Sequence, residues 1–168
     1  MANVIQTHEE LIRQILSAWK LNDRIGISLL KAISGKGLLA KPSGSKGRNV
    51  GQVFAQMHHV RFAWLRYNQP GLTKGMKRFG RKETAGRTEL IHALDRSHRT
   101  VETLLLHTLR EEGRIKSFKR EPVRWLAYLI SHESHHRGQI ALALKQSGMK
   151  LPQAIAIRGL WQEWYSGA

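Results

Sequence analysis

Cysteine is absent from this chain of 168 residues. Its absence excludes a disulfide framework, a thiolate metal site and a cysteine nucleophile, so any thiol chemistry needs a thiol brought in from outside. Long apolar runs are missing too. The most continuous one, Trp125 to Ile130, falls far short of the roughly 20 residues that cross a bilayer. The segment Met1 to Glu10 has neither a basic n-region nor an apolar h-region, and so carries no signal-peptide pattern. Together these absences predict a soluble, cytoplasmic protein with no membrane partner. No stretch of four or more residues alternates apolar and polar well enough to predict a strand. There is no internal repeat and no low-complexity tail, and the length suits a single domain spanning 1–168 with a core of its own.

Acidic residues are scarce: 12 Asp and Glu stand against 28 Lys and Arg, for a formal charge of +16. The cations do not form one helical stripe. They gather in segments that read as loops, among them Lys36, Lys41, Lys46 and Arg48, then Lys74, Lys77, Arg78, Arg81, Lys82 and Arg87, then Arg114, Lys116, Lys119 and Arg120. Such a surface attracts polyanions and steers small anionic ligands towards a pocket. Nucleic acid is one partner it would suit, although no helix-turn-helix, zinc finger or run of interleaved aromatics accompanies it.

Hydrophobic spacing predicts four long helices. The first runs from about 8 to 33, opened by a capping box of Thr7 and Glu10. Ser34 to Arg48 reads as a loop. Asn49 caps the second helix with Gln52 at its third position, and that helix ends near Asn68, ahead of Pro70-Gly71. A glycine-rich basic segment, 72–86, is expected to be mobile. The third helix runs from about Thr88 to Glu112-Gly113. The fourth begins at Pro122, in a first turn where its missing N–H does no harm, and stops at Gly148. A short fifth helix, about 153–165, would lay Ile155, Ile157, Leu160, Trp161 and Trp164 over the end as a lid. The prediction is an all-α, antiparallel four-helix bundle.

One stretch of the fourth helix carries chemistry. Every third or fourth residue reads Trp125, Leu129, His132, His136, Gln139, Ala143, which places them on one face. That face is apolar at both ends and polar in its middle. Burying an unpaired imidazole or amide costs roughly 1–3 kcal/mol, so three in succession need a common reason. Two imidazoles at i, i+4 reach one divalent ion, which turns the cost into ligation.

Two blocks now carry a resemblance: Asn-Val-Gly-Gln-Val-Phe-Ala-Gln-Met-His-His-Val-Arg-Phe-Ala-Trp-Leu (49–65) and Leu-Ile-Ser-His-Glu-Ser-His-His-Arg-Gly-Gln-Ile (129–140). They resemble the DinB-like family, four-helix bundles with a three-histidine metal site. The resemblance implies zinc or nickel at the bundle centre, a frequent homodimer, and relatives that include metal-dependent S-transferases and an isomerase using low-molecular-weight thiols. By position it makes His132 and His136 metal ligands, with Gln139 and Glu133 in support. The family's remaining histidine falls eight residues before Trp64, where this chain has Gln56. An amide oxygen is a weaker ligand than imidazole, so the resemblance implies Gln56 or the nearby His59 as third ligand and a site that is weak or empty if neither serves. His58 lies nearly opposite Gln56 on its helix.

His132-Glu133-Ser134-His135-His136 also satisfies H-E-x-x-H, the zinc-protease helix in which Glu133 would be the base and Glu163 a third ligand. The chain is too short for a two-lobed protease and has no strand to align a peptide, so this reading is set aside. Glu133 points about 100° from His132, towards a supporting or surface role, and His135 faces away, towards the surface or a dimer interface. His8, His92, His98 and His107 read as structural or exposed. The sequence therefore predicts a metal-dependent enzyme, a thiol S-transferase or related hydrolase or isomerase, acting on a small molecule with an anionic thiol. Loops 72–87 and 113–121 would hold that thiol's carboxylates. The alternative is a non-catalytic scaffold with a decayed site, binding an acidic partner or nucleic acid.

Overall fold

The computed structural model describes residues 2–111 and 113–166, and within them four long helices account for most of the chain. They are α1 (Ala2–Ala32), α2 (Val50–Asn68), α3 (Arg87–Arg110) and α4 (Pro122–Gln146). The predicted all-α bundle is what forms, with no strand among the described residues. Asn49 caps α2 as expected. Its side chain accepts from Gln52 N–H at 2.8 Å while Gln52 Oε1 accepts from Asn49 N–H at 3.0 Å, so two orphan donors are satisfied reciprocally. Gly148 ends α4 with φ +73°, and Met149 N–H closes back on the Leu144 carbonyl at 2.9 Å, the bond that turns a chain out of a helix through a left-handed residue.

Three expectations need correction. Helix α1 is already helical at Ala2, so Thr7 lies inside it rather than capping it. Helix α3 ends at Arg110, and Glu112 of the predicted stop lies outside the described residues. The predicted fifth helix is instead a π-helical turn, Ala154–Gly159, followed by a 3₁₀ turn, Gln162–Trp164. Ile155, Ala156 and Leu160 pack on the core, but Ile157 and Trp161 face solvent, so the lid is narrower than predicted. A glycine at 159 and proline at 152 leave too few residues between breakers for a regular helix to present one apolar face.

The bundle is not antiparallel throughout, as predicted, because helices α2 and α3 climb in the same direction: Phe54 and Leu90 share one apolar cluster, and Leu65 and Val101 share another. Helix α4 runs against α2, since Trp64 meets Tyr128 while Val53 lies beside Ile140. The connection 69–86 carries the chain back along the bundle to make this possible. Expected to be mobile, it is tied down by buried Met76, by His58 Nε2 donating to the Lys77 carbonyl at 2.8 Å, and by Lys77 Nζ on Glu89 at 3.0 Å.

The two apolar clusters are separated by a polar layer. Below it lie Leu29, Ile33, Phe54, Leu94 and Ile140; above it lie Trp19, Leu65, Leu105, Trp125 and Leu129. Between them, Arg61 of α2 forms a two-pronged pair with Glu133 of α4, Nε to Oε1 at 2.6 Å and Nη2 to Oε2 at 2.8 Å. Its third nitrogen, Nη1, donates to Asp23 at 2.9 Å and to the Leu94 carbonyl at 3.0 Å. Asn22 donates to Glu133 at 2.7 Å and accepts from Arg137 at 2.9 Å. The guanidinium also lies over the Trp19 ring at 4.7 Å. Arg61 and Glu133 are each about 1% exposed. Every helix contributes, so this layer fixes the vertical register of the four.

Candidate metal centre

Helix α4 carries two polar faces, and they point to different places. Glu133 and Arg137 turn into the bundle, so Glu133 is neither a surface residue nor a support for His132; Arg61 and Asn22 take up its carboxylate. His132 and His136, expected at the bundle's centre, stand about a quarter-turn away, half-buried in the groove between α4 and α2. The centre is already filled by the Arg61–Glu133 pair.

Within the groove the two imidazoles do converge. Their Nε2 atoms are 3.1 Å apart, with ring centroids at 4.4 Å and planes nearly perpendicular. His136 Nδ1–H donates to Gln139 Oε1 at 2.8 Å, and Gln139 Nε2–H donates to His135 Nε2 at 2.9 Å. An amide oxygen only accepts, so this order puts the His136 proton on Nδ1 and leaves its Nε2 lone pair facing His132. Gln139 thus orients His136 as a supporting residue orients a metal-binding imidazole. His132 stacks on Tyr128 at 5.9 Å, and its Nδ1 is buried with no hydrogen-bond partner. Burial pushes the pKa of both imidazoles down. Each also feels other cationic groups, His136 for His132, His135 and Arg48 for His136. Both are therefore neutral near neutral pH, with His132 Nε2–H donating to the Nε2 lone pair of His136.

The walls differ at the two ends of the groove. Beyond His132, Trp64, Phe118 and Tyr128 form an aromatic cluster, with Trp64 and Phe118 centroids 4.8 Å apart. Phe118, Lys119 and Arg120 hold φ of +56°, +53° and +66°, left-handed conformations that cost on the order of 1–3 kcal/mol each outside glycine. At the other end, His136 and Gln139 open on a cavity of about 360 Å³ walled by Pro42, Val50, Val53 and Ile140, with Arg48 at its edge. The basic residue facing His136 therefore comes from the first loop, not from 72–87 or 113–121.

The chain matches the DinB family model over residues 3–165. It belongs to the DinB family. No curated protein and no solved structure gives a significant match. The position expected to supply the third ligand is Gln56. The antiparallel register of α2 and α4 sets Gln56 at the height of His136, but the Gln56 side chain lines a separate cavity of about 220 Å³ with Arg48, Gln52, His59 and Arg81. His59 is exposed and stacks on Phe62 at 6.5 Å, and His58 is buried on the far side, bonded to the Lys77 carbonyl. Among the described residues no three of His, Cys, Asp and Glu group to hold an ion. The H-E-x-x-H protease reading fails, because its base is locked to Arg61 and Glu163 pairs with Arg24 at 2.8 Å.

Does this donor set fit a metal? Two imidazole nitrogens on one tetrahedral zinc, each at about 2.0–2.1 Å, stand roughly 3.3 Å apart. The His132–His136 pair needs only a slight opening to match that spacing. The pair fits; a third protein ligand would require Gln56 to turn its amide from one cavity into the neighbouring groove.

Sequence reasoning missed the polar layer. The signal was there: Asn22 interrupts the apolar spacing of α1 between Trp19 and Ile25, and Arg61 sits between Met57 and Leu65 on the buried side of α2. A polar residue at a core position on each of two helices predicts partners for it inside the bundle, because buried polar groups are hydrogen-bonded.

Proposed function

We propose that this protein is a metal-dependent enzyme acting on a small molecule with an external thiol, most simply a thiol S-transferase. His132 and His136 would supply two ligands and the Gln56 carbonyl a weak third. The observation that carries the reading is the 3.1 Å approach of two neutral Nε2 atoms beside a cavity. His132 and His136 would hold a divalent ion there, and the chemistry it would supply is a lowered pKa for a thiol brought to it. The chain's own groups do the rest. Gln139 keeps the proton of His136 on Nδ1, so that Nε2 faces inward. Arg48 offers a guanidinium to a carboxylate of the incoming thiol. Pro42, Val50, Val53 and Ile140 give an apolar wall against which an electrophile is held away from water. Among the described residues of the groove no side chain is placed as a general base, so activation of the thiol would fall to the ion.

A second reading is favoured by there being no three-ligand group among the described residues: a DinB scaffold whose metal site has decayed and whose basic surface binds an acidic partner or nucleic acid. Metal content decides between them. The enzyme reading expects the purified protein to take up one equivalent of zinc or nickel and to conjugate a thiol to an electrophile when loaded. It is overturned if neither metal binds to the parent while Gln56→His gains a tight one-to-one site, because the site is then a relic lacking its third imidazole.

A further inference from the structure

The basic loops do not merely coat the surface; two of them meet. The first loop and the end of the connection 69–86 enclose a concavity of about 740 Å³ at the N-terminal end of α2. Lys41, Lys46 and Arg48 line it from one side and Arg81 and Lys82 from the other. None of these five has a carboxylate partner among the described residues, whereas Lys77, a few residues away in sequence, pairs with both Glu83 and Glu89. Glu83 is the carboxylate nearest in sequence, and it is turned aside: it accepts from Gly80 N–H at 2.8 Å and pairs with Lys77.

The neutral groups in the lining add donors. Asn49 and Gln52 spend their side-chain oxygens on each other's backbone N–H in the cap of α2, so the N–H₂ groups remain for the cavity. Thr84 supplies a hydroxyl. The positive end of the α2 dipole points the same way and adds to the field. Five like charges brought together with no counter-charge repel one another, and a bound anion removes that repulsion.

We propose that this cavity binds a small anion carrying two or more phosphate groups. Charge selects the class. Five cations match a ligand of about three or four negative charges within one small molecule, which linked phosphates supply more compactly than carboxylates do. The two arginines give planar forks to phosphate oxygens, and the lysines act as point charges around them. The cavity has the size of a small-ligand site, typically about 300–1,000 Å³. No aromatic side chain lines it, so the phosphates are recognised and no base is stacked, unlike a single-strand nucleic-acid groove. Arg48 also edges the cavity at His136, so the anion would sit next to the groove without occupying it. The proposal does not rest on a metal at His132 and His136.

The test uses the full chain stripped of metal with a chelator, titrated calorimetrically with tripolyphosphate at 0.15 M salt, a concentration of about physiological ionic strength. One-to-one saturable binding is expected. The exposed double variant Arg81→Ala/Lys82→Ala should weaken it at least about tenfold, equal to about 1.4 kcal/mol. Arg66→Ala/Lys74→Ala removes the same formal charge elsewhere and should change it less than about twofold. Absence of saturable binding overturns the proposal, and so does an equal loss in both variants, which would mean diffuse attraction. A single-stranded oligonucleotide that displaces tripolyphosphate at equal phosphate concentration also overturns it, by assigning the cavity to a nucleic-acid backbone.

Discussion

Glu133 and His132 are neighbours in the chain and belong to two different kinds of site. Glu133 is sealed in the bundle with every oxygen engaged, by Arg61 twice and Asn22 once. His132 stands in an open groove with one nitrogen on His136 and the other without a partner. A helix turns about 100° per residue, so one step separates a structural interior from a reactive surface. The difference shows what a polar residue inside a bundle is for. Complete pairing fixes the register of helices; incomplete pairing leaves capacity for a ligand.

The sealed side should give the largest response. Removing one partner of a buried ion pair strands the other charge, at a cost of about 3–5 kcal/mol. Burial opposes the charge of Arg61, yet Glu133 and Asp23 outweigh it and hold its pKa above the ordinary value, so the guanidinium stays charged. Arg61→Met is therefore expected to lose about 3–5 kcal/mol in urea unfolding, a large part of the 5–15 kcal/mol typical of a domain. Arg61→Met/Glu133→Leu should cost less than the two single changes added together. A loss below about 1 kcal/mol for Arg61→Met would mean the layer is wet, and the contrast between the two faces would go with it.

Acidity sharpens the comparison at a smaller scale. Burial depresses the pKa of His58 and His98 in the interior and of His132 and His136 in the groove. For each, the folded chain takes up its proton at lower pH than the unfolded chain does, near about 6.5. Between those values the unfolded state binds more protons, so stability falls as pH drops below about 6.5 and is fully present above it. The melting temperature should decline between pH 7.5 and 5, by about 2–4 °C for each kcal/mol lost. Because His58 and His98 are the more deeply buried, His132→Leu/His136→Leu should keep most of that decline. If the double variant abolishes it, the groove is the sealed site and the interior the open one.

These two faces also explain what could be read before the structure. Helix spans followed from period and caps: Asn49 with Gln52, Pro122 and Gly148 each act locally, and local rules survive in the fold. The convergence of His132 with His136 followed from i, i+4 spacing alone. The bundle centre did not, because a 3.6-residue period leaves His132 and Glu133 both within reach of the buried arc, and only partners on other helices decide which turns inward. Arg61 and Asn22 are those partners, 72 and 111 residues away in the chain, and Asp23 holds Arg61 in turn. Arg48 was missed as the cation at His136 for the same reason: its loop reaches α4 only after the bundle has closed.

The smallest effect is the sharpest probe of the open side. His132 Nδ1 is buried without a partner, a cost that the folded protein carries and an apolar side chain would not. Leucine fills similar volume against Tyr128 and removes that atom along with the ring. His132→Leu is therefore expected to change unfolding free energy by no more than about 0.5 kcal/mol while abolishing uptake of zinc or nickel measured by calorimetry. Glu133→Leu, one residue on, should cost several times more, because Arg61 is left buried beside Asp23 alone. If His132→Leu proved as damaging as Glu133→Leu, His132 would be part of the structural layer, and the groove would lose its claim to be a ligand site.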